Sequence, residues 1–186
     1  MAITEMPTDW IFRINLPKPD DLEEVHKSWD IEVHSGIAYV GQNYRFLEPL
    51  AVRVRGNWTR PAFFVKIEIN SLVEVPCRRC LDPATVAING KFSYLYSLSP
   101  EEKHSDGHGD DGYVRIKSWG SCLDIAPQVW DTLILSLPTD VLCRDDCRGL
   151  CPVCGINLNR ESCDCSRNGA DPRLDILRHI KNDTVK

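Results

Sequence analysis

Alternation of apolar and polar residues runs from residue 10 to about residue 117. Trp10-Ile11-Phe12-Arg13-Ile14-Asn15-Leu16 alternates and is stopped by Pro17 and Pro19. Leu50, Val52 and Val54 alternate with Ala51, Arg53 and Arg55. Val65, Ile67, Ile69, Ser71, Val73 and Val75 share one parity against Lys66, Glu68, Asn70 and Glu74, and Val86, Ile88, Phe92, Tyr94 and Tyr96 form a second such set. Successive side chains of a strand point to opposite faces, so each set predicts a strand with one buried and one solvated side. The last two runs flank Pro76-Cys77-Arg78-Arg79-Cys80-Leu81-Asp82-Pro83, which predicts an antiparallel hairpin with a cysteine pair near its tip.

The period then changes. Residues Ser99 to Gly112, rich in breakers and acids and holding His104 and His108, predict a loop. Leu123, Ala126, Val129, Trp130, Leu133, Ile134 and Leu137 recur at three and four, the apolar stripe of a helix lying on a sheet. Asp124 is the expected N-cap, Pro127 falls in the first turn where its missing donor costs little, and Pro138 ends the helix. Asp171-Pro172 predicts the start of a short terminal helix through Leu174, Leu177 and Ile180. The expected fold is α+β: an antiparallel β-rich domain packed by one long helix (residues 1–140), then a cysteine-rich zinc-binding segment and the terminal helix (residues 141–186).

Composition narrows the class. With 42% hydrophobic and 26% charged residues, the 186-residue chain can build an ordinary core, so cysteine chemistry need only hold the part that lacks one. There is no run of eighteen apolar residues to cross a membrane, and Met1 to Trp10 lacks the basic-then-apolar pattern of a signal peptide. A chain that is not exported keeps its thiols reduced, and its nine cysteines read first as metal ligands rather than disulfides.

Those cysteines fall as Cys77-x2-Cys80, a lone Cys122, Cys143-x3-Cys147-x3-Cys151-x2-Cys154, and Cys163-x-Cys165. A two-residue spacing lets both thiolates of one turn reach a common ion while backbone amides donate to sulfur. In Cys151-Pro152-Val153-Cys154-Gly155 the proline fixes the entry and the glycine permits the positive φ that closes the turn. Cys163 and Cys165 complete a four-thiolate set with Cys151 and Cys154. Cys77, Cys80, Cys143 and Cys147 are left for a second site, or ligands exchange between the sets, so one or two Zn2+ ions are expected. Cys122 reads as a small buried apolar residue. Ferredoxin spacings are absent, as is the βαβ setting of a thioredoxin-like dithiol. No phosphate loop, nucleophile elbow or His-Glu-x-x-His motif is present, and all-cysteine sites are closed to substrate, so the expectation is a structural metal protein, no enzyme and no small-molecule substrate.

Net charge is -5, but residues 45–80 carry seven basic and three acidic side chains, the one clearly positive stretch. Arg53 and Arg55 share a strand parity opposite Val52 and Val54, Arg78 and Arg79 sit inside the first cysteine pair, and Arg148 precedes the second. These five are the candidate RNA contacts, because a guanidinium fork on a fixed turn matches phosphate. A solvated sheet face also explains the same arginines, and is the reading that composition favours.

Three blocks resemble the YceD family, the large ribosomal RNA subunit accumulation proteins. They are Cys77-Arg78-Arg79-Cys80-Leu81, then Leu123-Asp124-Ile125-Ala126-Pro127 with Leu135-Ser136-Leu137-Pro138, then Cys147 through Asn159 with Cys163 and Cys165. Asp171-Pro172-Arg173-Leu174 fits as well, and the resemblance covers the chain from about residue 45 onward. It implies a bacterial cytoplasmic or plastid factor for large-subunit ribosomal RNA accumulation, partnered by ribosomal RNA or a ribosome-assembly protein, with zinc as scaffold. A zinc- or redox-responsive regulatory protein is the alternative that the cysteines alone support.

Overall fold

The computed structural model describes residues 4–18, 23–98 and 112–165. The expected terminal helix, most of the acidic loop and both of its histidines lie outside these residues.

Three strands carry the fold: β5 (Leu50–Thr59), β6 (Ala62–Pro76) and β7 (Pro83–Ser97). β6 and β7 pair antiparallel from Phe63↔Tyr96 to Pro76↔Pro83, the hairpin that the alternation predicts. β5 pairs β6 along its other edge, β2 (Val25–Ile31) pairs β5, and β4 (Gln42–Phe46) joins β6 near Val73, with β3 (Ile37–Tyr39) outside it. β8 (Tyr113–Arg115) lies parallel to the end of β7. A separate two-stranded ribbon joins β1 (Arg13–Asn15) to β9 (Cys122–Asp124).

Parity decides what is inside. Val52, Val54, Val65, Ile67, Ile69, Val73 and Val75 are at most 1% exposed, while Arg53, Arg55 and Lys91 point to solvent. The buried face is covered by α1 (Ala126–Ser136), whose Val129 and Leu133 are fully enclosed. The helix lies so close to β7 that a side chain at Gly90 would collide with Ser136 Oγ and Ile69. Beneath it Tyr94 donates to the Gln128 carbonyl at 3.1 Å and Tyr96 to Oε1 of Gln128 at 2.6 Å, so the polar ends of a mostly apolar interface are paired.

The helix differs from its expected form. It has eleven residues, not a long span, because Leu123 belongs to β9, where Ile14 pairs with it, and Leu137 is already extended. An apolar stripe cannot distinguish a helix from a strand and a helix that abut. Asp124 acts one position early: its carboxylate accepts the Ala126 N–H at 3.0 Å and the N-cap is Ile125. Cys122, expected to be buried, lies exposed on β9 because strand parity turns it away from the core that Leu123 enters.

Beyond the helix the chain is tied back to the sheet. Tyr44 donates to the Pro138 carbonyl at 2.8 Å, Gln42 to the Thr139 carbonyl at 2.9 Å, and the Arg78 N–H to the Val141 carbonyl at 2.9 Å. These bonds bring the segment after α1 beside the hairpin tip.

Candidate metal centres

The hairpin tip forms a knuckle. The Cys77 N–H donates to the Asp82 carbonyl at 2.8 Å and the Leu81 N–H to the Cys77 carbonyl at 2.9 Å. The same pattern recurs downstream: the Cys151 N–H donates to the Ile156 carbonyl at 2.8 Å and the Gly155 N–H to the Cys151 carbonyl at 2.9 Å. In both turns the fifth residue has positive φ, 62° at Leu81 and 76° at Gly155. Glycine advertised the second turn. The Cys77-x2-Cys80 spacing pointed to the first, but Leu81 gave no sign of its positive φ, because leucine takes the left-handed conformation against its own preference.

Eight of the nine cysteines gather into two groups of four, Cys77, Cys80, Cys143 and Cys147 in one and Cys151, Cys154, Cys163 and Cys165 in the other. Within each group the sulfurs lie within 4.8 Å of one another. In the first, Cys77 Sγ is 3.8 Å from Cys147 Sγ and Cys80 Sγ 3.5 Å from Cys143 Sγ. A tetrahedral ion with metal–sulfur bonds of about 2.3 Å needs sulfur–sulfur edges of about 3.8 Å. Each group could hold a metal ion, and the fit rests on donor chemistry and spacing together. The grouping follows chain geometry: the hairpin tip supplies one pair, the segment tied down after α1 the next, and the second knuckle closes on the cysteines that follow it.

The thiols are prepared unequally. Burial pushes Cys77 up, but N–H groups of Cys80, Cys143 and Arg79 outweigh it and hold the thiol at about 6, from an ordinary 9.0. The N–H groups of Cys154 and Val153 likewise hold Cys151 at about 6. Burial pushes Cys80 up to about 12 and raises Cys143. The neighbouring thiol of Cys154 takes Cys165 to about 12, and at Cys163 the lowering Cys165 amide is outweighed by the Cys151 thiol, burial and the Cys154 thiol acting together, so that it too is raised. The first cysteine of each knuckle is thus biased toward thiolate, as is Cys147, while Cys80, Cys143, Cys163 and Cys165 are biased toward the protonated thiol and would lose protons when an ion binds.

The arginines divide. Arg78 pairs with Asp140 at 3.0 Å, and the Arg79 guanidinium turns back to donate to the Cys147 carbonyl at 2.9 Å. Both therefore also brace the first knuckle. Arg148 is exposed, its own N–H donating to Asn159 at 2.8 Å. Arg53 and Arg55 stand on the solvent face of β5, lining a shallow hollow of about 470 Å³ with His26, Lys27 and Ser28. Register places His26, Arg55 and Lys66 in one cross-strand row, and Arg53, Glu68 and Lys91 in the next. Burial raises Glu68, but the Lys91 and Lys66 ammoniums outweigh it and hold the carboxyl below its usual range. Lys66, Lys91 and His26 carry no sequence signal of their own; the pairing of four strands is what aligns them with the arginines.

A β-sheet braced by one short helix, with one group of four cysteines at the hairpin tip and a second at the Cys151–Cys154 knuckle, defines a protein with two sites that could hold a metal ion. The family described as large ribosomal RNA subunit accumulation protein YceD matches residues 65–181, more than half of the chain, and the chain belongs to that family. It is 26% identical over 136 residues to the large ribosomal RNA subunit accumulation protein YCED homolog 1, chloroplastic, of Arabidopsis thaliana, covering 61% of this chain and 42% of that protein. The Zea mays protein of the same description is 27% identical over 122 residues, 52% of this chain and 42% of the maize protein. An uncharacterized protein of Mycobacterium tuberculosis strain H37Rv, Rv2926c, is 35% identical over 89 residues, 46% of this chain and 40% of the relative. The matched stretches thus span about two fifths of these relatives. No solved structure matches the chain.

Proposed function

We propose that the chain is a non-enzymatic factor for accumulation or assembly of large-subunit ribosomal RNA, acting in a bacterial cytoplasm or plastid stroma, with two Zn2+ ions as scaffold. Membership of the YceD family supports the role, and the description of the chloroplastic relatives supports the RNA class and the compartment. Zinc is favoured by closed sets of four soft thiolates without ferredoxin spacing. Cys77, Cys80, Cys143 and Cys147 would hold one ion, and Cys151, Cys154, Cys163 and Cys165 the other. Each ion would supply cross-linking of the chain and, with four protein ligands, no open position for substrate. Residues 141–165 would then be a segment set against the β-rich body by the first centre rather than a freely hinged domain.

The partner surface is the observation that carries the RNA reading. Arg53 and Arg55 form no ion pair among the described residues, and they stand beside Lys66 and His26 on an open sheet face. Guanidinium groups held on strands in this way favour phosphate. Arg148 adds a further exposed cation, and Arg78 and Arg79 contribute from the knuckle. Replacing Arg53, Arg55, Arg78 and Arg79 by Ala tests this by ribosomal-RNA binding over a range of salt. Affinity should fall and the log–log salt slope flatten, by up to about 0.9 per lost phosphate contact. Unchanged affinity and slope would shift the partner to a ribosome-assembly protein.

A further inference from the structure

We infer that the two cysteine centres load metal as one cooperative unit, with Asn159 as the positioning residue through which the second centre orients a thiolate of the first. The inference rests on the reading that both groups hold metal ions.

Asn159 lies in the loop between Cys154 and Cys163, both in the second group, yet its side chain serves the first. Its Nδ2 donates to Cys147 Sγ at 3.4 Å. Its Oδ1 accepts from the Arg148 N–H at 2.8 Å and from Arg144 Nη2 at 3.0 Å, and its own N–H is held by Asn157 Oδ1 at 3.0 Å. Two residues earlier, Asn157 Nδ2 donates to Asp82 Oδ2 at 2.9 Å, and Arg160 donates to Oδ1 of the same carboxylate at 2.9 Å. Asp82 is the residue whose carbonyl closes the first knuckle. Contact runs the other way too, for the Arg79 carbonyl, inside the first knuckle, accepts the Leu150 N–H at 3.1 Å beside Cys151.

The loop from Gly155 to Ser162 has little of its own to order it. Leu158 is its one buried hydrophobic residue. An ion that ties Cys151 and Cys154 to Cys163 and Cys165 fixes both ends of that loop and so delivers Asn159 to Cys147 and Asn157 to Asp82. Donors to a ligating thiolate are part of the site, and their loss typically weakens metal binding about 10–100-fold. Because coupling is reciprocal, filling the first centre must favour the second by the same factor.

Native mass spectrometry of the full chain, titrated with Zn2+ from the metal-free form, counts ions chain by chain. At half loading the inference expects metal-free and two-ion chains, with one-ion chains scarce. Asn159→Asp keeps all eight thiolates and the side chain's shape but removes the donor; it should still bind two ions, with one-ion chains now abundant. Cys154→Ser/Cys163→Ser, which leaves the first centre's thiolates intact, should weaken that centre at least about tenfold in competition with a chromophoric chelator. Two ions filling the wild-type chain independently, with unchanged first-centre affinity in both variants, would overturn the coupling and leave the metal reading standing. Failure of the wild-type chain to take up zinc would overturn both.

Discussion

The hairpin β6–β7 and the segment from Val141 to Cys165 meet at the knuckle, yet different physics holds them. Along the hairpin, residue after residue on one face is removed from water, and fourteen register positions pair the backbones. In the segment the buried side chains are Val141, Cys147, Cys151 and Leu158, two of them thiols. Full burial of one aliphatic side chain contributes about 1.5–3 kcal/mol, and ordering one residue's backbone costs about 1–2 kcal/mol, so the sheet closes its balance by burial and the segment does not. What the segment has instead is a share in two groups of four cysteines that could hold metal. On the proposed reading one chain has two routes to order, and the border between them runs through Cys77 and Cys80, which belong to both.

The largest test of that contrast removes a ligand. Cys151→Ser should abolish ordering of the segment, because ion binding worth about 10–16 kcal/mol is then lost or crippled at the second centre. Limited proteolysis should cut between residues 141 and 165 while the strands survive, and continued resistance of the segment would break the contrast. Leu133→Ala strikes the other region. It empties a fully buried position of α1 and should cost about 2–5 kcal/mol in denaturant unfolding, with zinc content unchanged.

Acid should act first on the cysteine centres, because the lowered carboxyl of Glu68 in the sheet titrates only at lower pH. Cys80 and Cys143 in one group, and Cys163 and Cys165 in the other, have raised pKa values, so each ion should displace at least two protons at pH 7, measurable by calorimetry in buffers of different ionisation enthalpy. Affinity then rises with pH and zinc leaves as pH falls. In the metal-free chain the lowered values of Cys77 and Cys151 have the same sign: their stabilisation is complete above 9.0 and lost as pH falls through about 6. The smallest effects separate the two knuckles. Gly155→Ala meets no neighbour within 4 Å, so its cost is conformational alone, about 1 kcal/mol, whereas Leu81→Gly should be neutral or stabilise by a few tenths of a kcal/mol. Thermal unfolding of the two variants reads the opposite signs.

The contrast also governs how much was legible in the sequence. Period two identified β5, β6 and β7 and the side each presents to the core, because burial on one face writes itself into parity. The second knuckle was legible through Gly155, and the cysteine spacings suggested the two groups that the fold assembles. The length of α1 was not, since Leu123 and Leu137 extend the stripe although one lies in a strand and the other in extended chain. Cys122 was misread because a lone cysteine carries no spacing and its exposure depends on the β1–β9 pairing. The cross-strand row of His26, Arg55 and Lys66, and the reach of Asn159 to Cys147, join residues far apart in sequence that only register and loop closure bring together.

Hydrogen exchange with and without a zinc chelator tests the central claim most directly. The amides of Cys147, Cys151, Gly155 and Leu158, each bonded within the segment, should lose protection on chelation, while those of Ile67, Ile69 and Ile88 in the hairpin keep theirs. Unaltered protection in the segment, or equal loss in the hairpin, would contradict a molecule whose sheet is held by burial and whose cysteine segment is held by metal.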